Sequence, residues 1–197
     1  NSAQLDEPSP QQREFRIDLS LPDTFLVYPG AAAFYSSLGE MNGTAADTGP
    51  NPSGIKKVQL TLQRQSDFKY YENLTSTWTN NSDSWSKNEA PWWGSSWTYV
   101  VDKPTVAWIS GVDYILQARA VDSAVNSDDS LNNENIDATY AQKGFTYDTA
   151  LPTATLTAIT HDEEYSSLSL ASGTVADNYL PAATVRLYIH SQTSNKY

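Results

Sequence analysis

Apolar and polar residues alternate in short runs along this chain, and clusters of Gly, Pro, Asn and Asp separate the runs. The clearest run is YILQARAV at residues 114–121, in which Leu116 and Ala118 alternate with Gln117 and Arg119. A period of two indicates a β-strand with one buried face. The same reasoning predicts further strands at residues 15–19, 35–44, 58–62, 97–101 and 140–147. The pattern therefore predicts an all-β fold.

Two of these runs also indicate core positions. In residues 58–62 the apolar side chains Val58, Leu60 and Leu62 share one face of the predicted strand, and Gln59 and Thr61 share the other. In residues 35–44, Leu38 and Met41 are the apolar side chains that we expect near the core.

The chain repeats itself. YSSLGEMNGTAAD at residues 35–47 resembles YSSLSLASGTVAD at residues 165–177. KVQLTLQRQSDFKY at residues 57–70 aligns with TVRLYIHSQTSNKY at residues 184–197, and DEPSP at residues 6–10 resembles DTALP at residues 148–152. Three matches in the same order indicate a duplicated structural unit.

The repeat predicts the domain organisation. Residues 1–7 are the end of a preceding unit or an N-terminal arm, residues 8–151 form one complete unit, and residues 152–197 form the first strands of a second. Because the sequence begins at Asn1 rather than Met, we expect a mature product or an excised piece of a longer protein.

Composition and charge exclude several classes of function. The formal charge of −11, from 23 acidic and 12 basic residues, disfavours nucleic acid and anionic lipid as partners because their phosphates are repelled. The absence of Cys excludes disulfides and cysteine-based metal or redox sites. No apolar run approaches the roughly 20 residues that span a bilayer, so we expect no membrane insertion of this segment. The chain also lacks a Gly-x-Ser-x-Gly motif and a phosphate-binding glycine loop, so we expect no enzymatic activity.

Several phrases resemble a known family. They are GTAAD at residues 43–47, VQLTL at residues 58–62, YYEN at residues 70–73, WISGVDYILQARAVDSAVN at residues 108–126 and DTALP at residues 148–152. Together with Trp78 and Trp85 they resemble the bacterial immunoglobulin-like modules found in tandem on large surface and secreted proteins. The resemblance implies an immunoglobulin-like β-sandwich and an extracellular or cell-surface location in a prokaryote. It also implies that Trp78, Trp85, Trp97 and Trp108 are structural.

The resemblance implies a structural function: a stalk, surface-layer or filament element whose partners are adjacent modules or other copies of itself. Pairing of strands between chains is one expected mode of assembly. The alternative is a carbohydrate-binding or adhesin module. In APWWG the two adjacent aromatic side chains lie on opposite faces of a loop, so we expect at least one of them to be exposed. Trp92 and Trp93 would then be the residues that contact surface glycans.

Calcium is the one cofactor that the sequence suggests. Residues 122–137 contain five acidic side chains and four asparagines, and oxygen ligands of this kind bind Ca²⁺. In a cadherin-like arrangement Asp122 and Asn126 would supply one edge of a junction, Asp148 its linker and Asp177 the next unit. Asp47 would have the same role at the preceding junction. The alternative is a solvated loop without an ion.

Three Asn-x-Ser/Thr sequences, at Asn42, Asn73 and Asn80, are candidate glycosylation sites. Chance occurrence in a chain rich in Asn, Ser and Thr explains them equally well.

Overall fold

The computed structural model describes residues 12–82, 84–101, 106–125, 134–159, 163–179 and 184–189. It is nearly all-β. The elements are β1 Asp23–Tyr28, β2 Ala33–Tyr35, β3 Glu40–Ala46, β4 Ile55–Arg64, β5 Lys69–Glu72, β6 Thr77–Thr79, a 3-10 helix Ser84–Lys87, β7 Glu89–Ala90, β8 Ser96–Val100, β9 Val112–Asp122, β10 Ala141–Tyr147, β11 Thr153–Leu156 and β12 Gly173–Ala176.

Two sheets form the main body. The smaller has the strand order β1-β3-β8, and the larger has the order β2-β10-β9-β4-β5-β6, with β7 also paired to β4. Neighbouring strands run antiparallel except β2 and β10, which are parallel. Side chains from both sheets join one hydrophobic cluster, so the body is a β-sandwich-like fold.

The core is built around aromatic side chains. Trp97, Tyr71 and Tyr114 are its largest fully buried residues, and burying a large apolar side chain stabilises the fold by about 1.5–3 kcal/mol. The 3-10 helix lies beside the outer face of β4, and in that strand Gln59 and Thr61 are also buried. Their polar groups are satisfied by neighbouring side chains: Arg119 donates to Gln59, and Thr61 donates to Gln117.

Four predicted strands are confirmed: residues 58–62 lie in β4, 97–101 in β8, 114–121 in β9 and 140–147 in β10. Two predicted bounds were one residue too wide, because Val101 follows β8 and Tyr140 precedes β10. Leu38 and Met41 are buried, as the pattern indicated. These segments could be identified because each has apolar side chains facing one core and a turn at both ends.

Two strand predictions were wrong. Residues 15–19 alternate in polarity but form no strand, and Phe15 is 82% exposed; alternation alone makes no strand without a neighbouring strand to pair with. Residues 35–44 are two strands rather than one, because the chain crosses between sheets. Tyr35 ends β2 beside β10, and Glu40 begins β3 beside β8.

The antiparallel pair β11–β12 has the same register as β1–β3. Asp23 pairs with Ala46 and Leu26 with Gly43, and at positions 130 residues later Thr153 pairs with Ala176 and Leu156 with Gly173. In contrast to β1 and β3, every residue of β11 and β12 is exposed.

Candidate functional site

Three carboxylates meet at the end of the sandwich where the chain enters it. Asp18 precedes β1, Asp47 follows β3, and Asp122 is the last residue of β9. One oxygen from each residue lies within 4.8 Å of the other two. The pairing of Asp23 with Ala46 brings the first two carboxylates to the same edge. We call this group the entry cluster.

Asp122 is the buried member of the entry cluster. Its side chain is fully buried, and Oδ1 accepts hydrogen bonds from the backbone N–H groups of Ala124 (3.1 Å) and Asn135 (3.0 Å). The amide Nδ2 of Asn135 donates to its Oδ2 at 2.7 Å. These bonds hold the carboxylate in one orientation.

The other two members are held by backbone N–H groups of neighbouring turns. Asp18 accepts from Ser20 at 2.9 Å and from Ser53 at 2.7 Å, and Asp47 accepts from Gly54 at 2.7 Å through Oδ2. Oδ1 of Asp47 and Oγ of Ser53 are buried and have no hydrogen-bond partner among the described residues. The entry cluster therefore contains buried oxygen atoms whose hydrogen-bonding capacity is unused.

The electrostatics of the entry cluster differ between its members. Desolvation raises the pKa of Asp47, and the charges of Asp18 and Asp122 raise it further, against the opposing effect of the Gly54 N–H. Hydrogen bonding, first from the backbone of Ser20, lowers the pKa of Asp18. A proton or a cation near Asp47 would relieve the repulsion between the three carboxylates. Oxygen is the only donor type present, which suits Ca²⁺ or Mg²⁺.

The structure brings together only part of the set of metal ligands predicted from the sequence. Asp47 and Asp122 lie together, whereas Asp148 lies at the opposite end of β9. It follows Tyr147, which pairs with Val112, the first residue of β9. Asp177 follows β12, and its Oδ1 accepts from the backbone of Tyr179 at 3.1 Å. Asn126 lies outside the described residues.

Asp18 was missed from the sequence, although a signal for it exists. DLSLP at residues 18–22 lies 130 positions before DTALP at residues 148–152, the spacing that also relates β1–β3 to β11–β12. Asp18 and Asp148 accept the same bond from the backbone N–H two residues later, each at 2.9 Å. The earlier match at residues 6–10 lies outside the described residues.

The adjacent tryptophans Trp92 and Trp93 lie in different environments. Trp93 is 71% exposed, and Trp92 is partly buried against the core, where it forms a bridge with Trp97. Of the four tryptophans expected to be structural, Trp97 is buried, and Trp78 and Trp108 pack on the core. The guanidinium of Arg119 lies over the ring of Trp85, with its carbon 4.6 Å from the ring centre.

The candidate glycosylation sites also differ in accessibility. Asn73 and Asn80 are exposed next to β5 and β6, whereas Asn42 is half-buried in β3 and its amide donates to Glu40 at 3.1 Å.

Comparisons with protein-family models, with curated proteins and with solved structures find no match to this chain. Within the described ranges no helix has the length and apolar character needed to cross a bilayer.

Proposed function

We propose that this chain is part of an extracellular, non-enzymatic array of immunoglobulin-like β-sandwiches that serves as a stalk, surface-layer or filament element. The repeated register carries the proposal: β11 pairs with β12 as β1 pairs with β3, residue for residue, 130 positions apart. A duplicated unit predicts such a match, and unrelated strand pairs would share it only by chance.

Two features support the immunoglobulin-like assignment. β9 lies between β10 and β4, and β5 and β6 extend the same sheet, as two extra strands do in variable-type immunoglobulin domains. Tyr114, near the start of β9, accepts a hydrogen bond from the backbone N–H of Ile109 at 2.9 Å. A tyrosine that bonds to the backbone a few residues upstream at this place is the tyrosine corner of that fold.

The exposed face of the second unit fits the same proposal. Leu156, Leu168 and Val185 are exposed, and the repeat aligns them with the buried Leu26, Leu38 and Val58 of the first unit. Further strands would cover this face in an array. They would belong to a continuing chain or to a second copy.

The path of the chain suits a linear array. Asp23 begins β1 at the end of the sandwich that contains the entry cluster, and Tyr147 ends β10 at the other end. Units joined through short segments such as residues 18–22 and 148–152 would follow each other lengthwise. A cation bound at the entry cluster would tie a linker residue, Asp18, to the sandwich that follows it and would stiffen the joint.

Paired cysteines test the repeated register, because the chain has no Cys of its own. The hydroxyl oxygens of Thr155 and Thr174 lie 2.8 Å apart across β11–β12. We expect a Thr155→Cys, Thr174→Cys variant to form a disulfide, and the matching variant Phe25→Cys, Thr44→Cys to do the same. If only the Phe25→Cys, Thr44→Cys variant formed a disulfide, the result would contradict the proposal.

An adhesin that binds glycans is the second candidate, because Trp93 presents an exposed ring. Its test is a glycan array probed with the native chain and with Trp93→Ala. Leu74→Ala, which removes another exposed apolar side chain, is the control. Binding that only Trp93→Ala abolishes would favour the adhesin, and absence of binding would favour the structural role.

A further inference from the structure

We propose that Tyr179 anchors the second unit on the exit end of the complete unit, where β10 ends at Tyr147. The ring of Tyr179 reaches the turn at residues 110–111, which precedes β9. Its hydroxyl oxygen lies so close to Gly111 that a Cβ built there would overlap it. The proposal rests on the proposed array, because it concerns the joint between two units; the anchor itself can be measured separately.

The turn at residues 110–111 is fixed to β10 and to the linker that leaves it. The backbone N–H of Gly111 donates to the carbonyl of Tyr147 at 2.7 Å. The hydroxyl of Ser110 accepts from the backbone N–H of Thr149 at 2.9 Å and donates to the Asp148 carboxylate at 3.4 Å. Because these bonds join the turn to both sides of the end of β10, the complete unit presents a fixed surface to the ring of Tyr179.

Gly111 allows the ring to approach the backbone of this turn. Its φ is +78°, in the left-handed region that favours glycine. A Cβ at this position would overlap the hydroxyl oxygen and the adjoining ring carbon of Tyr179. Any other residue would therefore strain the turn and push the ring away at the same time.

Tyr179 is held in place by the turn that follows β12. Its backbone N–H donates to Oδ1 of Asp177 at 3.1 Å, and an aspartate that bonds to the N–H two residues later stabilises a tight turn. The ring is 45% exposed, whereas Tyr188 of the same unit is 76% exposed. A partly covered aromatic ring with a hydroxyl at its tip is suited to a contact between two units.

The complete unit has glycine at the position that matches Tyr179. The 130-residue spacing that aligns Asp47 with Asp177 also aligns Gly49 with Tyr179. Glycine offers no side chain for a preceding unit to hold, and a Cβ at Gly49 would overlap the hydroxyl of Ser20. The joints of the array are therefore unequal: an aromatic anchor holds the exit joint, and the entry joint depends on the linker and the entry cluster.

Distances between two spin labels, measured by double electron–electron resonance, test the anchor. Ser66→Cys labels the complete unit and Ser166→Cys labels the second; both positions are exposed, and the chain has no other Cys. Tyr179→Ala removes the anchoring ring, and Tyr188→Ala, which removes an exposed ring from the same unit, is the matched control. We expect a narrow distance distribution in the native background and in Tyr188→Ala. In Tyr179→Ala it should be several-fold broader, because the freed units sample many orientations.

An equally narrow distribution in Tyr179→Ala, or a broad one already in the native background, would overturn the proposal. Cross-strand nuclear Overhauser effects between Thr155 and Thr174 show whether β11 and β12 stay paired in this variant. If they do not, Tyr179→Leu replaces it, since its side chain is apolar but too short to reach Gly111. Failure of the cysteine pair in β11–β12 would contradict the array without affecting this measurement.

Discussion

Gly43 lies directly against the backbone of Phe25, so that a Cβ built at Gly43 would lie 2.0 Å from the Phe25 carbonyl oxygen. The same relation recurs between β12 and β11, where a Cβ at Gly173 would lie 2.1 Å from the carbonyl oxygen of Thr155. Both glycines belong to the repeated GT-x-AD phrase. The two similar phrases therefore share a close backbone approach that any larger residue would disrupt.

Gly43→Ala should destabilise the fold strongly, because β1 must move away from β3 and the ring of Trp97 would also be displaced. Overpacking of this kind costs about 1–3 kcal/mol, measurable by urea unfolding. Gly39→Ala is the matched control, since nothing lies within 4 Å of its added Cβ. Equal stability of the two variants would contradict the close approach.

Calcium should raise the melting temperature of the chain if the entry cluster binds it. A ligand at 100 times its Kd stabilises by about 2.7 kcal/mol, and a chelator should reverse the effect. In chelator, Asp47→Asn should melt above the native chain because it relieves repulsion from Asp18 and Asp122. With calcium present, the native chain should have the higher melting temperature of the two. A melting temperature that changes with neither calcium nor chelator would exclude a calcium site at the entry cluster.

The raised pKa of Asp47 predicts a pH dependence of stability without calcium. Its folded-state pKa lies above the ordinary 3.8, so the folded state holds the proton more tightly than the unfolded state. The resulting stabilisation is complete below pH 3.8 and is lost as pH rises through the raised value. The free energy of unfolding, compared between the native chain and Asp47→Asn over this window, should show the difference; parallel curves would contradict it.

Tyr114→Phe tests the tyrosine corner. The substitution removes the acceptor for the Ile109 N–H while the ring keeps its place in the core. A lost hydrogen bond of this kind costs about 1 kcal/mol, detectable as a lower midpoint of chemical unfolding. Tyr188→Phe, at an exposed tyrosine, should leave the midpoint unchanged. No loss for Tyr114→Phe would show that the bond contributes nothing.

The all-β fold and most of its central strands could be predicted because their alternation reports burial against one core. β9 is the clearest case, since Tyr114, Leu116 and Ala118 are all fully buried. The prediction was wrong at residues 15–19, where the apolar pattern has no partner strand. It also missed β1, whose signal is obscured by the outward-facing Phe25 and Val27.

The entry cluster could be predicted only in part. Asp47 follows β3 and Asp122 ends β9, so the sequence pattern identifies both as strand-end carboxylates. The grouping with Asp18 depends on which strand ends share an edge, and this follows from the β1–β3 and β4–β9 pairings rather than from any local spacing. For the same reason Asp148, expected beside Asp122, lies at the other end of the sandwich.

Cross-strand nuclear Overhauser effects measured on the isotope-labelled chain test the repeated unit most directly. We predict contacts between Thr155 and Thr174 that match those between Phe25 and Thr44, with Leu156 opposite Gly173 as Leu26 is opposite Gly43. A β11–β12 register shifted by even one residue from that of β1–β3 would contradict it.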